Sequence, residues 1–215
     1  MRHVLAIVLA LAACSDKTKE APPPPPAPPP ATAPPSGVEA AAKAGTIEAW
    51  DKAAAELDAA VAACTSATPA CREAASDAVE AHGRALELEH LTDPRAPLVP
   101  VALPPRAQAV IAACDRFAKL APPDDPEAAS IALVAAEQEW RYGWADRAVP
   151  RYEAILRGDR ASDAVALAVP RLLEGLRRQG KAADMKRWTS ALLADGKLMT
   201  ARPELRELLE GIQGI

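Results

Sequence analysis

Residues 125–156 read DPEAASIALVAAEQEWRYGWADRAVPRYEAIL, and this stretch decides the fold. Asp125-Pro126-Glu127 predicts a helix start: a capping Asp, a Pro at the first position and an acid in the first turn. The helix is expected to run to about Tyr142 and to be apolar on two sides. Leu133, Ala136 and Trp140 form one side, and Ile131 and Val134 the other. Two apolar sides on one helix predict neighbours on both flanks. Gly143 marks a tight turn. Trp144 to Leu156 follows as a second helix with Ala145, Ala148, Val149, Tyr152, Ile155 and Leu156 inward.

A second pair lies downstream. Ser162 caps a helix bearing Val165, Val169, Leu172, Leu173 and Leu176, which ends near Gly180. Pro170 is expected to kink it. Lys181 to Ala194 carries Met185, Trp188, Leu192 and Leu193, and Asp195-Gly196 is expected to end that helix. Pro203 to Ile212 reads as a last amphipathic helix with Leu205, Leu208, Leu209 and Ile212, a cap on the stack.

Gly143, Ala148 and Tyr152, followed by Ile155-Leu156, resemble the second-helix pattern of a tetratricopeptide repeat. There a small residue lets two helices cross closely and an aromatic fills the gap. Pro150 stands just after the Ala-apolar pair, where Pro is common in that family. The step from Gly143 to Gly180 is 37 residues, against about 34 in the family. Met185 stands where the pattern has Ala, so the second unit departs from it. The likeness covers about Ala128 to Ala194. It implies stacked helix pairs of the α-solenoid type with a concave face for peptides or proteins. It casts Trp140, Gly143, Trp144, Ala148, Tyr152 and Trp188 as repeat-packing or partner-groove residues.

Upstream, Ser36-Gly37-Val38-Glu39 fits a capping box. A helix is expected from there to Cys64, weakened at Gly45. Its stripe of Ile47, Trp50, Ala54, Leu57, Val61 and Cys64 alternates steps of three and four, as in a coiled-coil seam. Thr65 to Thr68 breaks it. Thr68 caps the next helix, with Pro69 at its first position and Cys71, Ala75, Ala78, Val79, His82 and Leu86 inward to about Leu91. The two predict an antiparallel helical hairpin. Cys64 and Cys71 lie on the expected buried stripes either side of the turn, a disulfide candidate in an oxidising compartment. Cys114 is then a buried structural thiol, a link from Cys114 to either partner being the alternative. Thr92 to Pro105 holds five prolines and must be extended. Alternating Val99, Val101 and Leu103 predict one face against the helices. Pro105 to Leu120 is a third helix with Val110, Ile111, Cys114, Phe117 and Ala118 inward.

At the start of the chain, Met1-Arg2-His3 is basic and Val4 to Ala13 is apolar. Ten apolar residues are too few to span a bilayer, which takes roughly 18 or more. With small residues at its end, the segment reads as a secretory signal. Leu11-Ala12-Ala13-Cys14 resembles the lipobox of bacterial lipoproteins. In that family the cysteine thiol accepts diacylglycerol, the chain is cut before it and the new amine is acylated. The resemblance implies lipidation of Cys14 and a membrane anchor on the periplasmic side. Ser15, permissive for transfer, implies the outer membrane. Ala21 to Ser36 then contains ten prolines. Proline fixes φ and lacks the N–H, so this stretch is a polyproline II spacer of roughly 50 Å without helix or sheet.

The domain reading is a signal at 1–13, the lipidated cysteine and tether at 14–36, a hairpin plus third helix at 37–120 and the repeat-like region at 121–215. Roughly a quarter of the residues are Ala, the strongest helix former, so the class is all-α. Net charge is −4, which lacks the basic footprint of a nucleic-acid binder. Residues 39–93 hold 11 acids and 4 bases, residues 141–187 hold 11 bases and 6 acids. Arg147, Arg151, Arg177, Arg178, Lys181, Lys186 and Arg187 are therefore a candidate basic face. Glu87 and His90 have the spacing of a di-iron bundle ligand pair, but no second pair exists. No nucleophile elbow, phosphate loop, haem or zinc motif occurs. The expectation is no metal and no cofactor beyond the acyl lipid. The expected function is a lipid-anchored protein-binding adaptor or assembly factor, with partner identity and oligomeric state open. A structural spacer contacting the cell wall or an anionic partner is second, and an enzyme without a recognisable motif is remote.

Overall fold

The computed structural model describes residues 37–89, 97–158, 160 and 162–213. The expectations for the Leu11–Cys14 motif, the proline tether, the Ser36 cap and His90 fall outside these residues. Ten helices and no strand form among the described residues: α1 Gly37–Ala44, α2 Ile47–Ala62, α3 Pro69–Leu88, α4 Pro105–Leu120, α5 Ala128–Arg141, α6 Ala145–Arg157, α7 Asp163–Arg178, α8 Ala182–Ala194, α9 Gly196–Ala201 and α10 Leu205–Gln213. Each of α1 to α8 packs on the next in the chain. In addition α5 reaches α7, and α10 lies on α8.

Several helix starts follow the local chemistry. Thr68 Oγ1 accepts from Cys71 N at 3.2 Å, and Pro69 opens α3 where its missing N–H costs nothing. Ser162 Oγ accepts from Ala164 N at 3.3 Å ahead of α7. Other boundaries correct the expectation. The helix from Ser36 to Cys64 is two helices, broken where Gly45 turns to φ 65° and Thr46 caps α2 anew. Asp125 does not cap α5. Its Oδ1 accepts from Glu127 N at 2.9 Å and its carbonyl from Ala128 N, so a turn precedes a helix that begins at Ala128. Asp195 ends α8 but at once caps the short α9, bonding Leu198 N at 3.0 Å and driving Leu198 and Met199 inward. The α7 helix is continuous through Pro170.

Three apolar clusters run along the array. The first is nearly all alanine: Ala41, Trp50, Ala53, Ala54, Ala81 and Ala85. The second, around α3 and α4, centres on Val110, Cys114 and Phe117. The third and largest joins α5 to α10 around Tyr152, Leu156, Leu172, Leu176, Leu192 and Leu209. Helix α5 serves the last two. Ile131 and Ala135 face the middle cluster, and Ala136 and Trp140 face the large one. The expectation of a helix with neighbours on both flanks is met. Helices α6 and α7 approach so closely at Gly175 that an added Cβ would lie 2.4 Å from Val149 Cγ2.

Candidate functional site

The segment before α4, bent at Leu98 and Val99, is attached by its backbone rather than by its side chains. Val101 N donates to Tyr142 O at 3.0 Å, and Trp144 Nε1 donates to Val101 O at 2.8 Å. The carbonyls of Pro97 and Val99 sit over Gly143, where a Cβ would meet them at 2.8 and 3.0 Å. Gly143 also has φ 80°, so two independent constraints require glycine there. With its backbone turned to the helices, the segment turns its side chains out. Leu98 is 81 % exposed, Val99 72 % and Val101 47 %. The expected burial of Val99 and Val101 is thus overturned; only Leu103 packs on the middle cluster. Arg147 stacks over Trp144 at 4.1 Å and flanks the same segment.

Trp140, Ala148 and Tyr152 are core residues and line no open groove. Trp140 meets Tyr152 edge-on at 6.3 Å. Tyr152 Oη donates to Glu137 at 2.7 Å, and Arg171 holds the same carboxylate at 3.1 Å. Burial, then the carboxylate beside it, pushes the Tyr152 hydroxyl well above its ordinary range. Arg178 lies over Trp140 at 4.4 Å. Trp188 is half-buried and donates to Glu153 at 3.1 Å.

The expected basic face is not one free surface. Arg151 holds Asp115 at 2.7 Å and Glu139 at 2.9 Å, tying α4, α5 and α6 together. Burial works against its charge, but these two carboxylates more than offset that and keep its pKa raised. Arg177 and Arg178 share Glu174 at 2.7 and 2.9 Å. The Arg177 bond, first, and then the Arg178 bond, set against partial burial, hold the Glu174 carboxyl down at about 2. Arg187 pairs with Asp184 at 3.1 Å. Lys181 and Lys186 are exposed. The charge counts were right, but i,i+3 and i,i+4 spacing pairs much of the excess within the helices.

Cys64 and Cys71 are joined, with S–S 2.02 Å and Cα–Cα 6.0 Å. Both are half-buried and not on the fully buried stripes expected: Cys64 lies past the end of α2 at Ala62, and Cys71 lies in the first turn of α3. Cys114 is a buried free thiol, and burial pushes it up to about 12, out of reach of nucleophilic use at neutral pH. His82 is partnered by Asp58 at 3.1 Å, and Arg116 takes the other oxygen of that carboxylate. No group of three or more His, Cys, Asp and Glu that could hold a metal occurs among the described residues.

An open groove lies between α3, α4 and α5. Helices α3, α4 and α5 enclose about 410 Å³ floored by Val79, Leu86, Val110, Leu133 and Val134. Glu137, Gln138 and Arg141 of α5 enter it. Sequence reading missed all three. The available signal was that Gln138 falls seven residues after Ile131, on the Ile131 and Val134 side of α5, where a polar residue must be partly enclosed.

Comparison of the chain with protein-family models, with curated proteins and with solved structures yields no match.

Proposed function

We propose that the chain is a lipid-anchored, periplasm-facing adaptor or assembly factor that binds a protein partner. The Leu11–Cys14 motif supports the anchor, and the prolines of 21–36 support a spacer that carries the helical array away from the membrane. The Gly143, Ala148 and Tyr152 pattern supports repeat-like pairing of α5 to α8. The observation that carries partner binding is the segment at 97–101. Its backbone is fixed on Tyr142, Gly143 and Trp144, while Leu98, Val99 and Val101 are held out to water. Adjacent exposed apolar side chains on a pinned backbone lose little freedom on association, which favours docking.

The test is co-purification from the cell envelope after chemical cross-linking. Wild type should bring down one dominant protein. A Leu98→Ser, Val99→Ser, Val101→Ser triple variant should lose it with unchanged helicity, and Cys14→Ala should lose both membrane association and capture. Equal capture by the triple variant contradicts this reading.

A further inference from the structure

Helices α1 and α2 stand at the edge of the array, packed on each other and on α3. Of the side chains they bury, only Trp50 and Val61 are larger than alanine. Their neighbours in the same cluster on α3 are Ala81 and Ala85. Two aspartates of α2 supply the remaining hold. Asp51 accepts from Arg106 of α4 at 2.9 Å, and Arg106 also bonds Glu89. Asp58 accepts from Arg116 of α4 and lies 3.1 Å from His82 of α3. These ties are open to solvent: Asp51 is 45 % exposed and Asp58 35 %. By contrast Glu139, which Arg151 holds between α5 and α6, is 6 % exposed. Mobile ions screen the first kind of pair far more than the second.

We infer that α1 and α2 form an arm that lifts off α3 and α4 while the rest of the array stays folded, with Asp51 and Asp58 as an ionic latch that rising salt opens. Segments with few large buried side chains and solvent-exposed ties open at a lower cost than the core. The α5 to α10 core, with Leu172, Leu176 and Leu209 sealed from water, does not open with it. The Cys64–Cys71 bond keeps the α2–α3 turn closed, so the arm moves about that end. The 16 residues of α2 make it about 24 Å long at 1.5 Å per residue. The proline stretch of 21–36 enters at the other end, at Gly37, so lifting the arm lengthens the reach of the array from its anchor. That consequence rests on the reading of a tethered adaptor; the opening itself does not.

The test is amide hydrogen exchange of the full chain in non-ionic detergent, from about 0.02 M to about 0.5 M sodium chloride, which cuts the screening length to a few ångströms. At low salt the amides of α1 and α2 should already exchange faster than those of α6 and α7. High salt should quicken α1 and α2 by roughly fivefold to tenfold, as a few partly exposed ion pairs are lost. The amides of α6 and α7 should change less than about twofold, and a thiol reagent should reach Cys114, buried in α4, no faster. An Asp51→Asn, Asp58→Asn variant should exchange at low salt as the wild type does at high salt, and respond little to further salt. Three results overturn the inference: protection of α1 and α2 equal to that of α6 and α7, indifference of α1 and α2 to salt, or equal quickening at Cys114. The wild-type salt series decides even if the variant folds poorly. None of these results touches capture through Leu98, Val99 and Val101, so failure here is distinct from failure of the adaptor reading.

Discussion

The two ends of the helical array are held together by different means. From α5 to α10 the core contains Tyr152, Leu156, Leu172, Leu176, Leu192 and Leu209, all essentially sealed from water. At α1 to α3 the buried residues of the first cluster are five alanines and Trp50, flanked by half-buried Val38, Leu57 and Leu88, and only Val61, Val79 and Leu86 of α2 and α3 supply larger buried aliphatics, to the middle cluster. Apolar burial contributes roughly 25 cal/mol per Å², so a methyl group contributes far less than a leucine. Alanine makes a good helix but a weak helix-to-helix contact. The alanine end carries other ties instead. The Cys64–Cys71 bond closes the α2–α3 turn. Arg106, at the start of α4, bonds Asp51 of α2 and Glu89 at the end of α3. Asp58 of α2 takes both His82 and Arg116. High helix propensity thus secures the elements, while covalent and ionic ties secure their arrangement.

Substitutions should separate the two ends. The largest effect belongs to the leucine core: Leu172→Ala should lower stability by about 2–5 kcal/mol in urea unfolding, because the sealed site cannot fully collapse. A loss under about 1 kcal/mol would mean that this core is loosely packed. Next, the Cys64→Ser, Cys71→Ser pair should cost about 2–3 kcal/mol, the value for a short closed loop. Hydrogen exchange should quicken in α2 and α3 and stay unchanged in α6 and α7; uniform quickening would erase the distinction between the ends.

Gly143→Ala should cost about 1–3 kcal/mol, since the new Cβ meets the carbonyls of Pro97 and Val99 at a positive φ. Trp144 fluorescence should shift as its bond to Val101 is disturbed. The smallest effect is electrostatic. The folded pKa of Glu174 is depressed from 4.5 to about 2. Its contribution is therefore present above about pH 4.5 and fades as pH falls towards 2. The group is partly solvated, so the change is well under 1 kcal/mol. Glu174→Gln should remove that part of the acid dependence in pH-resolved thermal unfolding.

Much of the fold was legible because several signals are local. Thr68-Pro69 and Ser162 act within one turn, and the Cys64–Cys71 spacing brackets a single loop. The two apolar sides of α5 report two neighbours for the same reason: burial leaves a periodic mark. What was lost depends on contacts far along the chain. Alternation at Val99, Val101 and Leu103 says that one side is apolar, but not which side faces the helices. The backbone bonds to Tyr142 and Trp144 settle that, and no local pattern encodes them. The basic residues of α6 to α8 could be counted but not paired. Arg151 finds Asp115 and Glu139 across two other helices. Asp125 has the residues of a helix cap, yet Arg72 of α3 lies 3.3 Å from its carboxylate while its own backbone closes a turn. The open groove escaped for the same reason, since it exists only once α3 and α4 stand beside α5.

The most direct test of the account is site-specific photo-cross-linking in living cells, with the reactive group placed at Val99 and, as a control, at exposed Lys197. The account predicts one dominant protein adduct from position 99, absent from position 197 and strongly reduced in a Cys14→Ala strain. Identical adduct patterns from the two positions, or none above background from position 99, would contradict a partner surface built on Leu98, Val99 and Val101.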